Sequence, residues 1–173
     1  MHNKLLKKQL DLFHQGDQDA FIEIYEALKT PVYTIIYRIL YDHMLAEDVM
    51  QDVFLRLYKN ASSLHIKNPR AWIFQMARNL AIDYMRKRKD HSPLSTATKQ
   101  DHNTLEHTVS TKLDIESALQ QLPSTDREMV TLHLNGDLKF REIAKLVDKP
   151  LGTVLWRYQK SIRTLRHILA GGV

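Results

Sequence analysis

An all-α protein is what this sequence predicts: two small helical domains joined by a flexible linker, the second carrying a helix-turn-helix. Three observations carry that expectation. Only five Gly and five Pro interrupt 173 residues otherwise rich in Leu, Ile, Ala, Gln, Lys and Arg, residue types that favour helix. Apolar residues recur every three to four positions in both halves, the period of a helix buried along one side. Between the halves, from Asp90 to about Thr111, DHSPLSTATKQDHNTLEHTVST has few large apolar residues and no sustained period, which is linker composition. The expected divisions are residues 1–89, 90–111 and 112–173.

Each element follows from its local pattern. Gly16 ends an N-terminal amphipathic helix, and Asp17 or Asp19 can cap the next, with Phe21, Ile24, Tyr25 and Leu28 on one side. Pro31 has no N–H to give and is expected to break or kink that helix. Val32, Ile35, Ile36, Ile39 and Leu40 resume the rhythm beyond it. A third helix is expected over roughly Leu45 to Asn60 and a fourth over residues 68–90. In the second half Ile115, Leu119 and Leu122 run to Pro123, and Thr125 with Glu128 has capping-box spacing. Met129, Val130, Leu132 and Leu134 follow, stopped by Asn135-Gly136. FREIAKLV, a turn at Asp148-Lys149-Pro150 and the basic stretch LGTVLWRYQKSIRTLRHIL then read as a helix-turn-helix. A linker of about 20 residues, at about 3.3 Å each, spans on the order of 65 Å. That is nearly two turns of duplex DNA at about 34 Å a turn.

Composition excludes several function classes. There is no cysteine, hence no disulfide framework and no thiolate metal site. The start, MHNKLLKKQLDLFHQGDQ, lacks the apolar core and small-residue cleavage site of a signal peptide. No run of about 18 apolar residues is present, and a cytoplasmic protein is expected. Of nine histidines, His102 and His107 are spaced off one helical face, and no carboxylate–histidine set has ligand spacing. No nucleophile–base pair and no Gly-rich phosphate loop stand out. Neither cofactor, metal nor enzymatic activity is expected.

Charge and helix faces point instead to a polyanion. The net charge is +5, with a pI near 9.4. Basic residues gather between Ile66 and Asp90 and again between Leu138 and Arg166. Two such clusters suit a nucleic acid touched at two places, or two solvated helix faces. Three faces are not needed by a core when residues are turned by about 100° each. On the third helix Val49, Met50, Val53, Phe54 and Leu57 form the apolar side. Asp48, Asp52, Leu55 and Lys59 lie opposite, with Gln51 at the edge. Leu55 is then a stray surface leucine or the anchor of a polar-rimmed docking face. On the fourth helix Ile73, Ala77, Leu80 and Tyr84 form the core stripe, whereas Trp72, Gln75, Asn79, Asp83 and Arg86 share another side. An aromatic, amides and a cationic tail suit single-stranded nucleic acid, whose base faces and edges are free. The alternative for Trp72 is folding back onto its own domain. On the last helix Val154, Tyr158, Ile162, Leu165 and Leu169 point inward. Thr153, Trp156, Arg157, Lys160 and Thr164 point outward, flanked by Arg163, as on a helix read into a major groove.

These stretches, in this order, resemble bacterial RNA polymerase sigma factors of the extracytoplasmic-function (ECF) group. AEDVMQDVFLRLYKN looks like the segment by which they bind the polymerase clamp helices. NPRAWIFQMARNLAIDYMRKRK resembles their segment for melting and reading the minus-ten element. LPSTDREMVTLHLNGDLKFREIAKLVDKPLGTVLWRYQKSIRTLRHIL is similar to their minus-thirty-five domain. The resemblance implies that Asp48, Gln51, Asp52 and Leu55 contact core RNA polymerase. It implies that Asn79 and the loop Ser62 to Asn68, with Ser62 and Ser63, hold an extruded base beside Trp72, Gln75 and Asp83. Arg78, Arg86, Lys87, Arg88 and Lys89 would serve the DNA backbone. Thr153, Leu155, Trp156, Arg157, Lys160 and Arg163 would face the upstream duplex. Promoter DNA and an anti-sigma factor, possibly membrane-bound, are the further partners it implies. The chain departs from the family in three places: Leu155-Trp156 after GTV, where Lys-Ser or Arg-Ser is usual; Asp148, where Gly is common; and Lys139, in place of a small cap. An ordinary helix-turn-helix regulator acting without polymerase is the competing reading.

Overall fold

A computed structural model of the chain describes residues 1–60, 67–91 and 108–170. Eight helices are formed among them, and no strand. Four come from the first half: α1 (Asn3–His14), α2 (Gln18–Leu40), α3 (His43–Asn60) and α4 (Pro69–His91). Four come from the second: α5 (Thr108–Gln120), α6 (Ser124–Leu134), α7 (Phe140–Leu146) and α8 (Leu151–Leu169). Most of the expected linker lies outside the described residues, but α5 already begins at Thr108, inside the stretch read as linker.

Helix starts in the first half are set by short polar side chains. Gly16 takes φ +101°, and Asp17 then caps α2, its Oδ1 accepting the Asp19 N–H at 3.0 Å and the Ala20 N–H at 3.3 Å. Asp42 caps α3 through the Leu45 N–H, and Asn68 caps α4 through the Ala71 N–H, both at 3.1 Å. Contrary to expectation, Pro31 does not break α2, which runs on to Leu40. The proline removes one rung, towards Ala27. Burial of Ile24, Leu28, Val32, Ile35 and Ile36 on both sides of it holds the helix together. Leu6, Val49, Val53, Phe54, Leu57, Ile73, Phe74 and Ala77 complete that core.

The second half departs from its pattern at four apolar or capping positions. The Thr125–Glu128 capping box does not form, because α6 starts two residues earlier than that box requires, with Pro123 at its N-cap, and Glu128 turns to Arg78 of α4. Instead Glu142 accepts the Lys139 N–H at 2.8 Å before α7, one half of a box, since Lys offers no acceptor. Leu169, expected to point inward, is 50% exposed, and the apolar positions Ile115 and Leu134 are 42% and 61% exposed. The helix-turn-helix itself is stitched by His133, whose ring stacks 4.2 Å from Phe140 and meets Tyr158 edge-on at 5.0 Å. Its Nδ1–H donates to the Leu138 carbonyl at 2.9 Å. Asp148 takes φ +52° in the turn, a conformation Asp tolerates better than most residues.

The two halves are docked on one another. Helix α6 lies against α2, and Met129, Leu132, Leu138, Ile143 and Val154 are continuous with the core of the first half. A smaller cluster, Leu119, Leu122 and Val130 under Tyr158, Ile162 and Leu165, belongs to the second half alone.

Candidate nucleic-acid and polymerase interfaces

Helix α3 presents the face its periodicity foretold. Asp48 and Gln51 are exposed, and Leu55 is 51% exposed among them. Asp52 is half-buried and accepts the Tyr84 hydroxyl at 2.9 Å, a bond that raises the Tyr84 pKa above its ordinary value. One acid of the candidate docking face is thereby tied to α4.

Helices α3 and α4 also enclose a cleft of about 380 Å³, lined by Arg56, Trp72, Gln75, Met76, Asn79, Leu80 and Asp83. The four residues expected to hold a base are thus brought together. Trp72 resolves between its two readings: half-buried, it packs on the core with part of its surface and borders the cleft with the rest. Arg56 was missed by sequence reasoning. Its place follows only from how α3 meets α4: it lies one helical turn beyond Asp52, the residue that reaches Tyr84. A cleft with an aromatic wall, two amides, a carboxylate and a guanidinium can stack a planar base and hydrogen-bond its edges. Stacking of this kind contributes about 1–3 kcal/mol per base.

The cations of α4 divide. Arg86 and Lys87 are exposed, while Arg88 pairs with Asp42 at 3.0 Å and lines, with Lys87 and Tyr84, a second depression next to Asp48. Arg78 does not join the candidate DNA face, because its Nε donates to Glu128 of α6. Ser62 and Ser63 lie outside the described residues.

On α8, Thr153, Leu155, Trp156, Lys160 and Arg163 are exposed. Trp156 is 58% exposed, with the Lys160 ammonium 5.3 Å from its ring centre, a cation–π contact that steadies both. Arg157 corrects the expectation of an outward residue: its Nε sits 2.8 Å from Asp126 Oδ1, a buried carboxylate oxygen that meets no well-aligned donor. Among the described residues no group of His, Asp and Glu is placed to hold a metal, and no helix is long and apolar enough to cross a membrane.

Known proteins share this arrangement. The family model for Sigma-70 region 2 matches residues 18–91, and that for Sigma-70, region 4 matches residues 112–165. With both segments present in order, the chain belongs to the sigma-70 family of transcription initiation factors. Its relatives place it in the ECF group. The ECF RNA polymerase sigma factor SigW of Bacillus subtilis (strain 168) is 29% identical, over 94% of this chain and 95% of its own. SigM of the same organism is 29% identical over 83% and 93%. The fold matches the sigma factor RpoE solved with the anti-sigma factor NepR from Bartonella quintana, with a TM-score of 0.72 and 21% identity over 88% of this chain and 98% of that one. It also matches CnrH solved with the cytosolic domain of CnrY, with a TM-score of 0.66 and 18% identity over 99% and 98%.

Proposed function

We propose that the chain is a promoter-specificity subunit: the α3 face docks on core RNA polymerase, the α3–α4 cleft captures an unpaired base, and α8 reads the upstream duplex. One observation carries the reading. The same helix pair presents an acid-flanked exposed leucine on one side and a base-sized cleft with Trp72, Gln75, Asn79, Asp83 and Arg56 on another. A subunit that couples docking to strand capture needs both on one rigid body. Base capture offsets an unstacking cost of a few kcal/mol, so the strand opens on binding energy and the chain needs no chemistry of its own.

By resemblance to the family Ser62 and Ser63 would also contact the captured strand, and Arg86 to Arg88 would track its phosphates. Trp156 and Lys160, held against each other, would take the place of the usual basic pair on α8, Trp156 meeting a thymine methyl or a sugar. Work of this kind belongs in the cytoplasm, and an anti-sigma factor is the expected inhibitor by resemblance to the family. A test is transcription in vitro with purified core polymerase on genomic fragments. Discrete start sites that depend on this chain support the reading; a tight duplex footprint by the chain alone, with no polymerase association, replaces it with an ordinary helix-turn-helix regulator.

A further inference from the structure

Between Leu151 and Arg163 helix α8 carries three cations, and each is already engaged. Arg157 reaches back to α6, its Nε 2.8 Å from Asp126 Oδ1, the two side chains only 29% and 9% exposed. The Lys160 ammonium sits 5.3 Å from the centre of the Trp156 ring. Arg163 donates from Nε to the Gln159 carbonyl of its own helix at 3.4 Å. What α8 presents most openly is therefore apolar. Trp156 is 58% exposed and Leu155 36% exposed, neighbours in the chain and about 100° apart around the helix. Gly152 stands one turn before Trp156 on the same side, where an added Cβ would meet nothing within 4 Å. Helical side chains lean towards the N-terminus, so Trp156 leans over a turn that carries no side chain.

That surface suits one base better than the others. Guanine is read in the major groove through its N7 and O6 acceptors by a free Arg or Lys, whereas thymine presents an apolar group there, its 5-methyl. Drawing Arg157 out would leave the Asp126 carboxylate buried and unpaired, so Arg157 stays on α6. Lys160 and Arg163 hold only a ring face and a carbonyl at the solvent, and they serve as charges for the phosphates bordering the groove. With no acid between Leu151 and Leu169, nothing on α8 repels those phosphates.

We propose that Trp156 and Leu155 set the base specificity of α8 by packing on thymine methyls in the major groove, and that Asp126 of α6 is the positioning residue that keeps Arg157 from reading guanine. This deepens the reading of α8 given above and rests on it for the meeting of α8 with duplex DNA.

The test uses the full chain with core polymerase and a pool of promoter duplexes carrying a randomised upstream window. The element recovered should contain thymines. Replacing each by deoxyuridine, which removes the methyl alone, should weaken binding about fourfold at one position or more, the value of one buried methyl-sized group. Replacing guanines by 7-deazaguanine, which removes the N7 acceptor, should leave binding unchanged. Trp156→Ala should bind thymine and deoxyuridine duplexes alike, a loss of discrimination that a merely structural tryptophan would not produce. Asp126→Asn keeps the side chain's size, gives up the charge that holds Arg157, and should recover an element that has acquired a guanine sensitive to 7-deazaguanine.

The deoxyuridine comparison alters only the DNA, so it decides the thymine readout whatever the stability of either variant. A parent element indifferent to deoxyuridine, or weakened by 7-deazaguanine, overturns the proposal. An unchanged element from a folded Asp126→Asn chain overturns the part given to Asp126. Polymerase association and start sites, measured on the same samples, keep the two claims apart. A polymerase-bound chain whose element ignores the methyl overturns this inference alone. A chain that never joins the enzyme overturns the functional reading, and the same base replacements in duplexes selected by the chain alone then decide the thymine readout.

Discussion

Asp52 of α3 accepts the Tyr84 hydroxyl of α4 at 2.9 Å, joining the candidate polymerase face to the helix that lines the candidate base cleft. Tyr84→Phe removes the donor and leaves a half-buried carboxylate to water. The expected loss is about 1 kcal/mol, the net worth of one such hydrogen bond, read as a lowered denaturant midpoint with unchanged slope.

Leu55 contributes nothing to the core, so its removal should separate docking from folding. Leu55→Ala should weaken core-polymerase affinity by about 1–2 kcal/mol, roughly tenfold, as for a docking anchor. Thermal unfolding of the free chain should be unchanged. If both measurements move together, Leu55 is structural and the docking face is misassigned.

Asn79 and Arg56 line opposite walls of one cleft. Asn79→Ala should reduce open-complex formation, followed by permanganate footprinting of unpaired thymines, while polymerase binding is retained. Arg56→Ala should give the same split, about tenfold in open-complex stability for the loss of one charge-assisted contact. Equal losses in binding and opening by either variant would remove the assigned role.

Gly136 sits where a Cβ would fall 2.5 Å from the Leu132 carbonyl oxygen, in the turn between α6 and α7. Gly136→Ala must push backbone against backbone, at the residue whose own carbonyl receives Arg70. A destabilisation of about 1–3 kcal/mol is expected, read as a lowered thermal midpoint.

Tyr41 ends α2 in the left-handed region, φ +51°, and burial raises its phenol to about 12. The unfolded phenol titrates near 10, so from about pH 10 to about 12 the unfolded chain loses that proton first. The folded state binds the extra proton, and stability therefore falls as pH rises through that window, having been constant with respect to this group below it. Tyr41→Phe should make the alkaline loss shallower. An identical slope in parent and variant would show that Tyr41 does not titrate as its burial requires.

Helix order, the stops at Gly16 and Asn135-Gly136, the faces of α3 and α4 and the helix-turn-helix could all be read from residues close together in the chain. Periodicity and turn chemistry are local, and each helix writes its buried side into spacing. The cleft-lining set Trp72, Gln75, Asn79 and Asp83 was legible for the same reason, since all four lie on one helix. Arg56 was not, because its role depends on which turn of α3 meets which turn of α4.

The same limit explains the other corrections. Pro31 costs α2 a hydrogen bond by any local rule, and packing on either side outweighs it. Glu128 has the spacing of a cap but meets a stronger partner in Arg78, fifty positions earlier in the chain. Arg157 turns outward on a helical wheel and inward to Asp126 in the folded chain. What each helix is follows from neighbours within about two turns. Which charges remain free for DNA depends on guanidiniums and carboxylates far apart in sequence, where pairing wins only once folding has excluded water from between them.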